Sequence, residues 1–443
     1  MRARVSLILA AAVVAVGAGL LFLSQEEQSR PNIVLIVIDT LRADHLPFYG
    51  YAHSTAPFLS ELAQEGIVFD RAYSTSSWTA PATASLFTSL YPFQHGVITG
   101  MVATHRALEL DPTITLNAIS DEAVTIPEIM QRAGYRTFGV ADNLNICAAE
   151  GFDQGFDAFH SDNDRGAAAV NAQVEDWKEE ILEPESPYFL YLHYMDPHKP
   201  YTPQRPWSAR LGATGTPEIS AYDSEIRHVD EHIRMLFEML GWGEDSIVVV
   251  TADHGEEFGD HGDFRHGNNL YNETLQVPLL VYPASAFGRE SGRVSEPVSL
   301  IDLLPTLREI SGVRPAGHEE GRSLLGVLRG ESRSLADRKE LFAYLQRTRL
   351  DSRKGEELVV RAVIAGSQKY ILTIPGAREE LYDVVDDPHE TKDLLLGHPD
   401  RGAELRMRFE AFEQASHRLP RVSKQIQLDE SQLEKLRSLG YVN

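Results

Sequence analysis

Three residues lie where the chain could bind a divalent metal. Asp39 directly follows the apolar run Ile33–Ile38, and Asp253 and His254 follow a second run, Ile247–Ala252. If both runs are strands of one parallel sheet, their carboxyl ends meet at the edge where such sheets bind ligands. Two carboxylates and an imidazole at that edge offer mixed oxygen and nitrogen ligands to a divalent ion. A single Asp at a strand end also forms turns or caps helices, so the metal prediction depends on the whole set.

A hydroxyl group completes the chemistry. Residues 76–92 read SSWTAPATASLFTSLYP, and Thr79 precedes the helical pattern Ala80–Ser89, with Pro81 in its first turn. Thr79 is therefore predicted as the N-cap of a helix. The same position suits a nucleophile, because the amides and dipole of a helix N-terminus favour a bound anion. Metal coordination would lower the pKa of the hydroxyl and activate it.

Strands alternating with helices would position these residues. The apolar stripe of a long helix, about Ile219–Leu240, recurs every three or four residues, which predicts one core-facing side. This alternation predicts an α/β fold with a mostly parallel central sheet covered by helices on both faces. The predicted strands are Asn32–Ile38, Ile67–Tyr73, Arg136–Ala141, Tyr188–His193, Ser246–Ala252 and Val277–Tyr282, and two further helices are Thr55–Gln64 and Ile126–Ala133.

The pattern changes from about Leu341. Val359–Ile364 and Lys369–Ile374 read as a hairpin around Gly366, and a helix is predicted from about Asp400 to Ala415. We therefore expect a catalytic domain over residues 31–338, with residues 314–338 as the connection. A smaller C-terminal subdomain over 339–443 contains a short antiparallel sheet and a helix. The tail after Pro420 is predicted as a strap with a short helix near 431–439.

The N-terminus predicts export from the cytoplasm. Arg2 and Arg4 precede the apolar run Val5–Leu23, whose length is near the roughly 20 residues that span a bilayer. We interpret residues 1–30 as an uncleaved signal anchor and linker. The positive-inside rule then places the catalytic part in the periplasm or outside the cell. Small residues within the run leave cleavage and secretion as the alternative.

Composition limits the classes of partner. The 443 residues carry a net charge of −24, which argues against a general nucleic-acid binder, because phosphate backbones need a basic surface. Cys147 is the single cysteine, which excludes an internal disulfide and a cysteine-based zinc site. Hydrophobic residues make up 43% of the chain, enough for a full core.

Longer blocks of the sequence resemble the sulfatase family of the alkaline phosphatase superfamily. They follow the family's order over roughly residues 31–390. The blocks are NIVLIVIDTLRADHLPFYG, SWTAPATASLFTSLYP with His95 and Gly96 after it, YLHYMDPHKPY, TADHGEEFGDHG, HGNNLYNETLQVPLLVY and ELYDVVDDPHETKDL. The resemblance implies the alkaline phosphatase-like fold and metal-dependent hydrolysis of a sulfate or phosphate ester.

The same resemblance assigns roles by position. Asp39, Asp253 and His254 match metal ligands, and Thr79 takes the nucleophile position. His198 matches a histidine that contacts the oxyanion or leaving group, and His266 stands where sulfatases often have a substrate-binding lysine. Asp196 matches a second-metal ligand of two-metal phosphatases, and Thr79 could itself contact the metal. For Asp196 and His193, a structural hydrogen-bonding role is the alternative.

The nucleophile region departs from the sulfatase pattern. Sulfatases carry Cys or Ser in a Cys-x-Pro-x-Arg signature that is oxidised to formylglycine, whereas this chain has Thr79, Pro81 and Thr83. Threonine cannot form that aldehyde, so no formylglycine is expected. A threonine ester must be broken by attack at sulfur or phosphorus, which favours phosphate or phosphonate esters. The absent arginine at position 83 removes a bidentate partner for the anion.

The ligand set also departs from that of many sulfatases. Thr40 follows Asp39 where a second acid is common, and His254 replaces an Asn. Fewer carboxylates and one imidazole favour Mn²⁺ or Zn²⁺, with Ca²⁺ or Mg²⁺ as alternatives. Two rival functions stay open: a membrane-anchored phosphoglycerol or phosphoethanolamine transferase, and a non-catalytic binding domain. The substrate would be a small-molecule, glycan or lipid ester, and the anchor would contact the membrane.

Some nearby residues are predicted to support the site. Arg42 and Asp44 are expected to form a local ion pair, and His261 to shape a glycine-rich loop. Trp78 flanks the nucleophile and could line a pocket. The proline-rich stretch Asp196–Trp207 is predicted as an active-site loop, because it has too many prolines for a helix.

Overall fold

A computed structural model describes residues 30–100, 116–183, 186–315, 317–331, 335, 337–348, 357–416 and 423–426. The apolar run Val5–Leu23 and the predicted tail helix near 431–439 lie outside these residues. The described residues from Asn32 onward form one compact unit. In the part that the structure describes, no helix combines the length and apolar character needed to cross a bilayer.

An eight-stranded sheet forms the centre of the molecule. Its order is β13-β2-β12-β8-β1-β7-β5-β6, and only β12 runs against the others. These strands are β1 (Asn32–Ile38), β2 (Ile67–Phe69), β5 (Arg136–Ala141), β6 (Ala158–Ser161), β7 (Tyr188–Tyr194), β8 (Ser246–Thr251), β12 (Leu279–Tyr282) and β13 (Gly292–Val294).

Smaller sheets surround this one. The remaining strands are β3 (Ala72–Tyr73), β4 (Leu116–Ile119), β9 (Glu257–Phe258), β10 (Phe264–Arg265), β11 (Gln276–Val277), β14 (Val298–Ser299), β15 (Leu341–Thr348), β16 (Glu357–Ala365), β17 (Gln368–Ile374), β18 (Arg378–Asp383) and β19 (Ser423–Ile426). The tail strand β19 pairs antiparallel with β4, which agrees with the predicted strap.

Strand β1 brings the predicted metal ligands to one edge. All of its residues after Asn32 are buried, so both faces of the sheet are covered, as the apolar run predicts. The parallel register pairs Val37 with Thr251 of β8 on one side and with His193 of β7 on the other. The chain segments that follow β1 and β8 therefore leave the sheet side by side, next to the end of β7.

Helices pack around the central sheet. The longest, α8, buries the predicted stripe that includes Ile226, Val229 and Ile233. The α-helices are α1 (Pro57–Glu65), α2 (Thr79–Thr88), α3 (Pro92–His95), α4 (Ile126–Arg132), α5 (Ala167–Asp176), α6 (Lys178–Ile181), α7 (Trp207–Leu211), α8 (Pro217–Leu240), α9 (Asn272–Leu275), α10 (Leu303–Ile310), α11 (Leu325–Leu328) and α12 (Pro399–Ser416). Short 3-10 turns lie at Ala43–His45, Pro47–Tyr49, Ala148–Glu150, Ala284–Phe287 and Leu300–Asp302.

The C-terminal region forms the predicted antiparallel sheet. Strands β15 to β18 pair in sequence order, and Leu405 and Phe409 of α12 pack against Tyr370 and Leu381 of this sheet. Its other apolar face joins a core that includes Leu270 from the segment before α9. The C-terminal sheet is thereby fixed against the segment that leads out of the predicted site.

Two predicted strands are each divided in the structure. Residues 67–73 form β2 in the central sheet and β3 in a separate small sheet, and residues 277–282 divide around Pro278 into β11 and β12. Strand β3 pairs with β11, and β2 pairs with β12, so both strands change sheet together. Proline has no amide hydrogen for a strand ladder, which fits the break at 278.

Candidate active site

The structure brings Asp39, Asp253 and His254 together. Nε2 of His254 lies 3.6 Å from Oδ1 of Asp39 and 3.4 Å from Oδ2 of Asp253. All three side chains are fully buried. Those same two carboxylate oxygens have no hydrogen-bond partner among the described residues. Buried, unpaired carboxylate oxygens facing one point are costly unless a cation joins them, so the donor set fits a divalent ion.

The backbone orients two of these groups. Amides of Thr40 and His254 donate to Oδ1 of Asp253, which leaves its Oδ2 facing the cluster. Nδ1 of His254 lies 2.8 Å from the carbonyl oxygen of Gly255. Because a carbonyl can only accept, Nδ1 carries the hydrogen, and Nε2 of the neutral ring keeps its lone pair. This arrangement is typical of a metal-binding histidine.

Two further residues join the cluster. Ligand atoms of Asp39, His193 and Asp253 all lie within 4.8 Å of one another, which makes His193 a fourth candidate ligand. Nδ2 of Asn143 donates to Oδ2 of Asp39 at 2.6 Å. For His193 the sequence leaves a structural role as the alternative, and Asn143 is not among the predicted site residues. The sequence feature that points to Asn143 is its position just after β5, the strand that pairs with β7 in the sheet.

Thr79 points into the same cluster. Its Oγ1 lies 3.4 Å from Oδ2 of Asp39 and 3.3 Å from Nε2 of His254. The prediction that Thr79 is the N-cap is wrong, because α2 begins at Thr79 and the N-cap is Trp78. By those two distances, the hydroxyl of Thr79 points towards residues that could bind a metal. Thr83, in place of the family's arginine, is fully buried and its Oγ1 has no hydrogen-bond partner among the described residues.

Electrostatics separate the two acids of the cluster. Burial would raise the pKa of Asp39, but the hydrogen bond with His193 and the charge of His198 keep that pKa well below its usual range. Burial and the charge of Asp39 raise the pKa of Asp253. Burial lowers the pKa of His254, which favours the neutral ring. Neighbouring acids whose pKa values are shifted in opposite directions are typical of a functional site.

His198 and His266 lie beside this cluster. The ring of His266 lies 4.6 Å from the ring of His254 and 5.1 Å from that of His198, measured between centroids. Both residues are partly exposed, unlike the buried ligands. The structure therefore brings all six predicted principal residues into one site, with two histidines on its solvent side.

Asp196 has a structural partner instead. Its Oδ2 accepts a hydrogen bond from the amide of Ala167, at the start of α5, and burial raises its pKa. In the described part of the chain, the group of ligand atoms within 4.8 Å of one another comprises Asp39, His193 and Asp253, and includes neither Asp196 nor His254. The second-metal role of Asp196 stays a prediction, and its contact with Ala167 is compatible with the structural alternative.

The supporting residues have the predicted kinds of contact. Arg42 forms its ion pair with Asp44 at 2.7 Å and a second one with Asp260 at 2.9 Å. His261 pairs with Glu273 at 2.7 Å, and this pairing raises its pKa to about 9 despite its partial burial, which opposes the shift. His261 therefore fixes its loop. Residues 196–206 are irregular and lead into α7, in agreement with the predicted loop.

Comparisons with known proteins identify the family. The sequence model of the family described as "Sulfatase" matches residues 31–313. An ulvan-active sulfatase of Formosa agariphila is 26% identical over 425 residues, covering 85% of this chain and 79% of its own. The crystal structure of a phosphonate monoester hydrolase of Agrobacterium radiobacter has a TM-score of 0.68 and 18% identity, over 88% of this chain and 96% of its own. The crystal structure of i-CgsB in complex with a neocarrahexaose has a TM-score of 0.72 and 18% identity, and the match covers 87% of this chain and 93% of that protein's chain. The chain belongs to the sulfatase family of ester hydrolases.

Proposed function

We propose that this chain hydrolyses a phosphate or phosphonate ester with Thr79 as the nucleophile, and that sulfate esters are the alternative substrates. The observation that carries the proposal is the position of Thr79. Its Oγ1 lies 3.4 Å from Oδ2 of Asp39 and 3.3 Å from Nε2 of His254, the ring nitrogen that lies beside the unpaired oxygens of Asp39 and Asp253. A hydroxyl held there is placed for attack on a bound ester.

The residues that would hold the metal are Asp39, Asp253 and His254, with His193 as a fourth candidate. A divalent ion there would supply Lewis-acid polarisation of the ester and would lower the pKa of the Thr79 hydroxyl. Two imidazoles among the ligands favour Mn²⁺ or Zn²⁺ over Ca²⁺ or Mg²⁺. Asn143 would orient Asp39 through its 2.6 Å hydrogen bond.

The chain's own groups then act in sequence. Thr79 loses its hydroxyl proton to solvent, and Oγ1 forms a bond to phosphorus in line with the leaving alcohol, while protonated His198 gives its proton to that alcohol as its bond to phosphorus breaks. His266 holds the anion from the solvent side of the site. Water then attacks phosphorus and passes a proton to the now neutral His198 as the bond between phosphorus and Oγ1 of Thr79 breaks, and Oγ1 takes a proton from solvent, which restores the hydroxyl. An ordinary threonine ester can be released this way, without the aldehyde that sulfatases use.

The substrate would be a small-molecule, glycan or lipid ester. A relative is named as acting on ulvan, and a protein of similar fold was crystallised with a neocarrahexaose, which supports a glycan ester as one candidate class. The apolar run Val5–Leu23 supports anchoring of the catalytic part outside the cytoplasm, with secretion if the run is cleaved.

Replacement of the nucleophile tests the proposal. Thr79→Ala should abolish turnover of p-nitrophenyl phosphate, phosphonate and sulfate esters while metal content, measured by elemental analysis, stays unchanged. Thr88→Ala is the matched control, because Thr88 lies on the same helix and its hydroxyl bonds only back to the carbonyl of Ala84. An unchanged rate in Thr79→Ala would overturn the assignment. If an added acceptor alcohol takes all of the product, the chain is a transferase.

A further inference from the structure

The carboxylate of Glu256 is buried directly behind His266. Oε1 of Glu256 lies 3.0 Å from Nδ1 of His266, and Oε2 accepts a 2.6 Å hydrogen bond from the hydroxyl of Tyr201. The residue is fully buried, whereas His266 is partly exposed. Both carboxylate oxygens are therefore engaged, one of them by an imidazole of the site.

The backbone of Glu256 is also fixed. Its carbonyl oxygen accepts a hydrogen bond from Nη1 of Arg42, and Arg42 is itself held by Asp44 and Asp260. Arg42 belongs to the segment that follows Asp39, so this contact ties the two metal-binding segments together. Glu256 can thus act as a rigid support, because neither its main chain nor its side chain is free to move away.

His266 needs such a support. It lies between Arg265, with φ of 75°, and Gly267, with φ of 74°, in a segment where residues 262–265 are exposed. A partly exposed imidazole on a loop has several side-chain rotamers and two ring orientations available. A hydrogen bond from one ring nitrogen removes most of that freedom, because it fixes both the rotamer and the orientation of the ring.

We propose that Glu256 is a positioning residue whose buried carboxylate fixes the ring of His266, so that Nδ1–H donates to Glu256 and Nε2–H of the imidazolium ring donates to the substrate anion. The ring centroid of His266 lies 4.6 Å from that of His254 and 5.1 Å from that of His198, and the proposed function places the anion beside these three rings. The inference rests on that function. Tyr201 holds the carboxylate of Glu256 in place, and therefore acts on His266 only through Glu256.

Replacement of the carboxylate gives a specific kinetic pattern. Glu256→Ala should raise KM for p-nitrophenyl phosphate and the Kd for inorganic phosphate about tenfold, the effect of one well-placed hydrogen bond, with a smaller change in kcat. Glu256→Gln should restore most of the binding, because its amide oxygen still accepts from Nδ1 of His266. Calorimetry on the metal-loaded protein measures phosphate binding independently of turnover.

A double substitution separates positioning from general stabilisation. In a protein that already carries His266→Ala, Glu256→Ala should raise the Kd for phosphate by less than about a further twofold, because the residue that Glu256 positions is absent. If the two substitutions instead weaken phosphate binding independently, so that their effects on the free energy of binding add, the proposal is overturned. If Glu256→Ala does not fold, Tyr201→Phe replaces it, with an expected two- to threefold rise in Kd for phosphate that vanishes in the His266→Ala background.

The neighbouring acid is the matched control. Glu257 bonds to the amides of His261 and Asp263 and to the side chain of Asn269, and so supports the loop without contacting His266. Glu257→Gln should lower Tm but leave the Kd for phosphate within about twofold. An equal weakening in Glu257→Gln would refute a specific role for Glu256. If the wild type binds phosphate but shows no turnover, and Glu256→Ala loses phosphate binding, the positioning role of Glu256 stands and only the proposed hydrolysis is refuted.

Discussion

The side-chain amide of Asn143 donates a 2.6 Å hydrogen bond to Oδ2 of Asp39. The same oxygen lies 3.3 Å from Nε2 of His193, a candidate metal ligand, so Asn143 is the neutral donor that holds this side of the carboxylate. Oδ1 of Asp39 is then free to face Asp253 and His254. Asn143 is itself oriented, because its Oδ1 accepts from the amide of Asn145. A neutral donor in this position fixes the acid without competing for the cation.

Asn143→Ala should therefore weaken metal binding. Loss of an outer hydrogen bond to a metal ligand typically costs 10- to 100-fold in affinity or activity, and we expect a change in this range for both. Titration with a competing chelator measures the affinity, and p-nitrophenyl ester turnover measures the activity. Asn171→Ala is the control, because Asn171 bonds to Tyr194 and to the carbonyl of His232, away from Asp39. Unchanged metal affinity in Asn143→Ala would contradict the role.

Removal of the metal should stop turnover and lower Tm. The unpaired oxygens of Asp39 and Asp253 then repel each other in a buried place, which destabilises the fold as well as the activity. We expect Mn²⁺ or Zn²⁺ to restore activity more effectively than Ca²⁺ or Mg²⁺, since His254 and His193 suit transition metals. Replacement by Co²⁺ gives a visible spectrum that His193→Ala should alter if His193 is a ligand. Full turnover after exhaustive chelation would contradict metal dependence.

Local patterns predicted most of the fold. Strands β1 and β5 have the predicted bounds, and every residue after the first of each strand is buried. Residues 67–73 were predicted as one strand, although a change of sheet divides them. That change depends on pairing with β11 and β12, more than 200 residues away in the chain, which apolar patterning does not report.

The same limit applies to the site. Asp39, Thr79, Asp253 and His254 were predictable because their types and their place after strands or before a helix suggest chemistry. Asn143 and Glu256 were not, because their roles depend on single contacts. Asn143 is 104 residues from Asp39 in sequence, and nothing local distinguishes Glu256 from the adjacent Glu257.

A buried ion pair joins the C-terminal sheet to the site segment. Nζ of Lys369 lies 3.0 Å from Oε1 of Glu390 and 3.0 Å from the side-chain oxygen of Asn272 in α9. Lys369→Met should lower the free energy of unfolding by about 3–5 kcal/mol, because it leaves the Glu390 carboxylate buried without its partner. Urea denaturation measures the change.

Two further variants check this explanation. Lys369→Met combined with Glu390→Leu should recover part of the loss, since no buried charge remains. Arg406→Ala, which breaks a partly exposed pair with Glu379, should cost less than about 1 kcal/mol. A double variant as unstable as Lys369→Met, or more so, would show that packing, and not charge, determines the effect.

A buried histidine in α3, in contact with the nucleophile helix α2, should make the protein sensitive to acid. Nδ1 of His95 accepts a hydrogen bond from the amide of Val97, and Nε2 lies 3.0 Å from Oγ of Ser85 in α2. Burial lowers the pKa of His95 from 6.5 to about 3. Between these values the unfolded chain binds a proton that the folded chain does not, so this contribution to stability is complete above about pH 6.5 and falls as the pH decreases.

We therefore expect His95→Gln to flatten the decline in stability between pH 6.5 and 4. One proton corresponds to a slope of about 1.4 kcal/mol per pH unit, and the variant should lose most of a slope of that size. Urea denaturation at several pH values measures it. His398→Gln is the control, because His398 is exposed and its substitution should leave the slope unchanged. Parallel pH profiles for wild type and His95→Gln would mean that the acid sensitivity arises from other groups, since only a group whose proton affinity changes on folding can alter the slope.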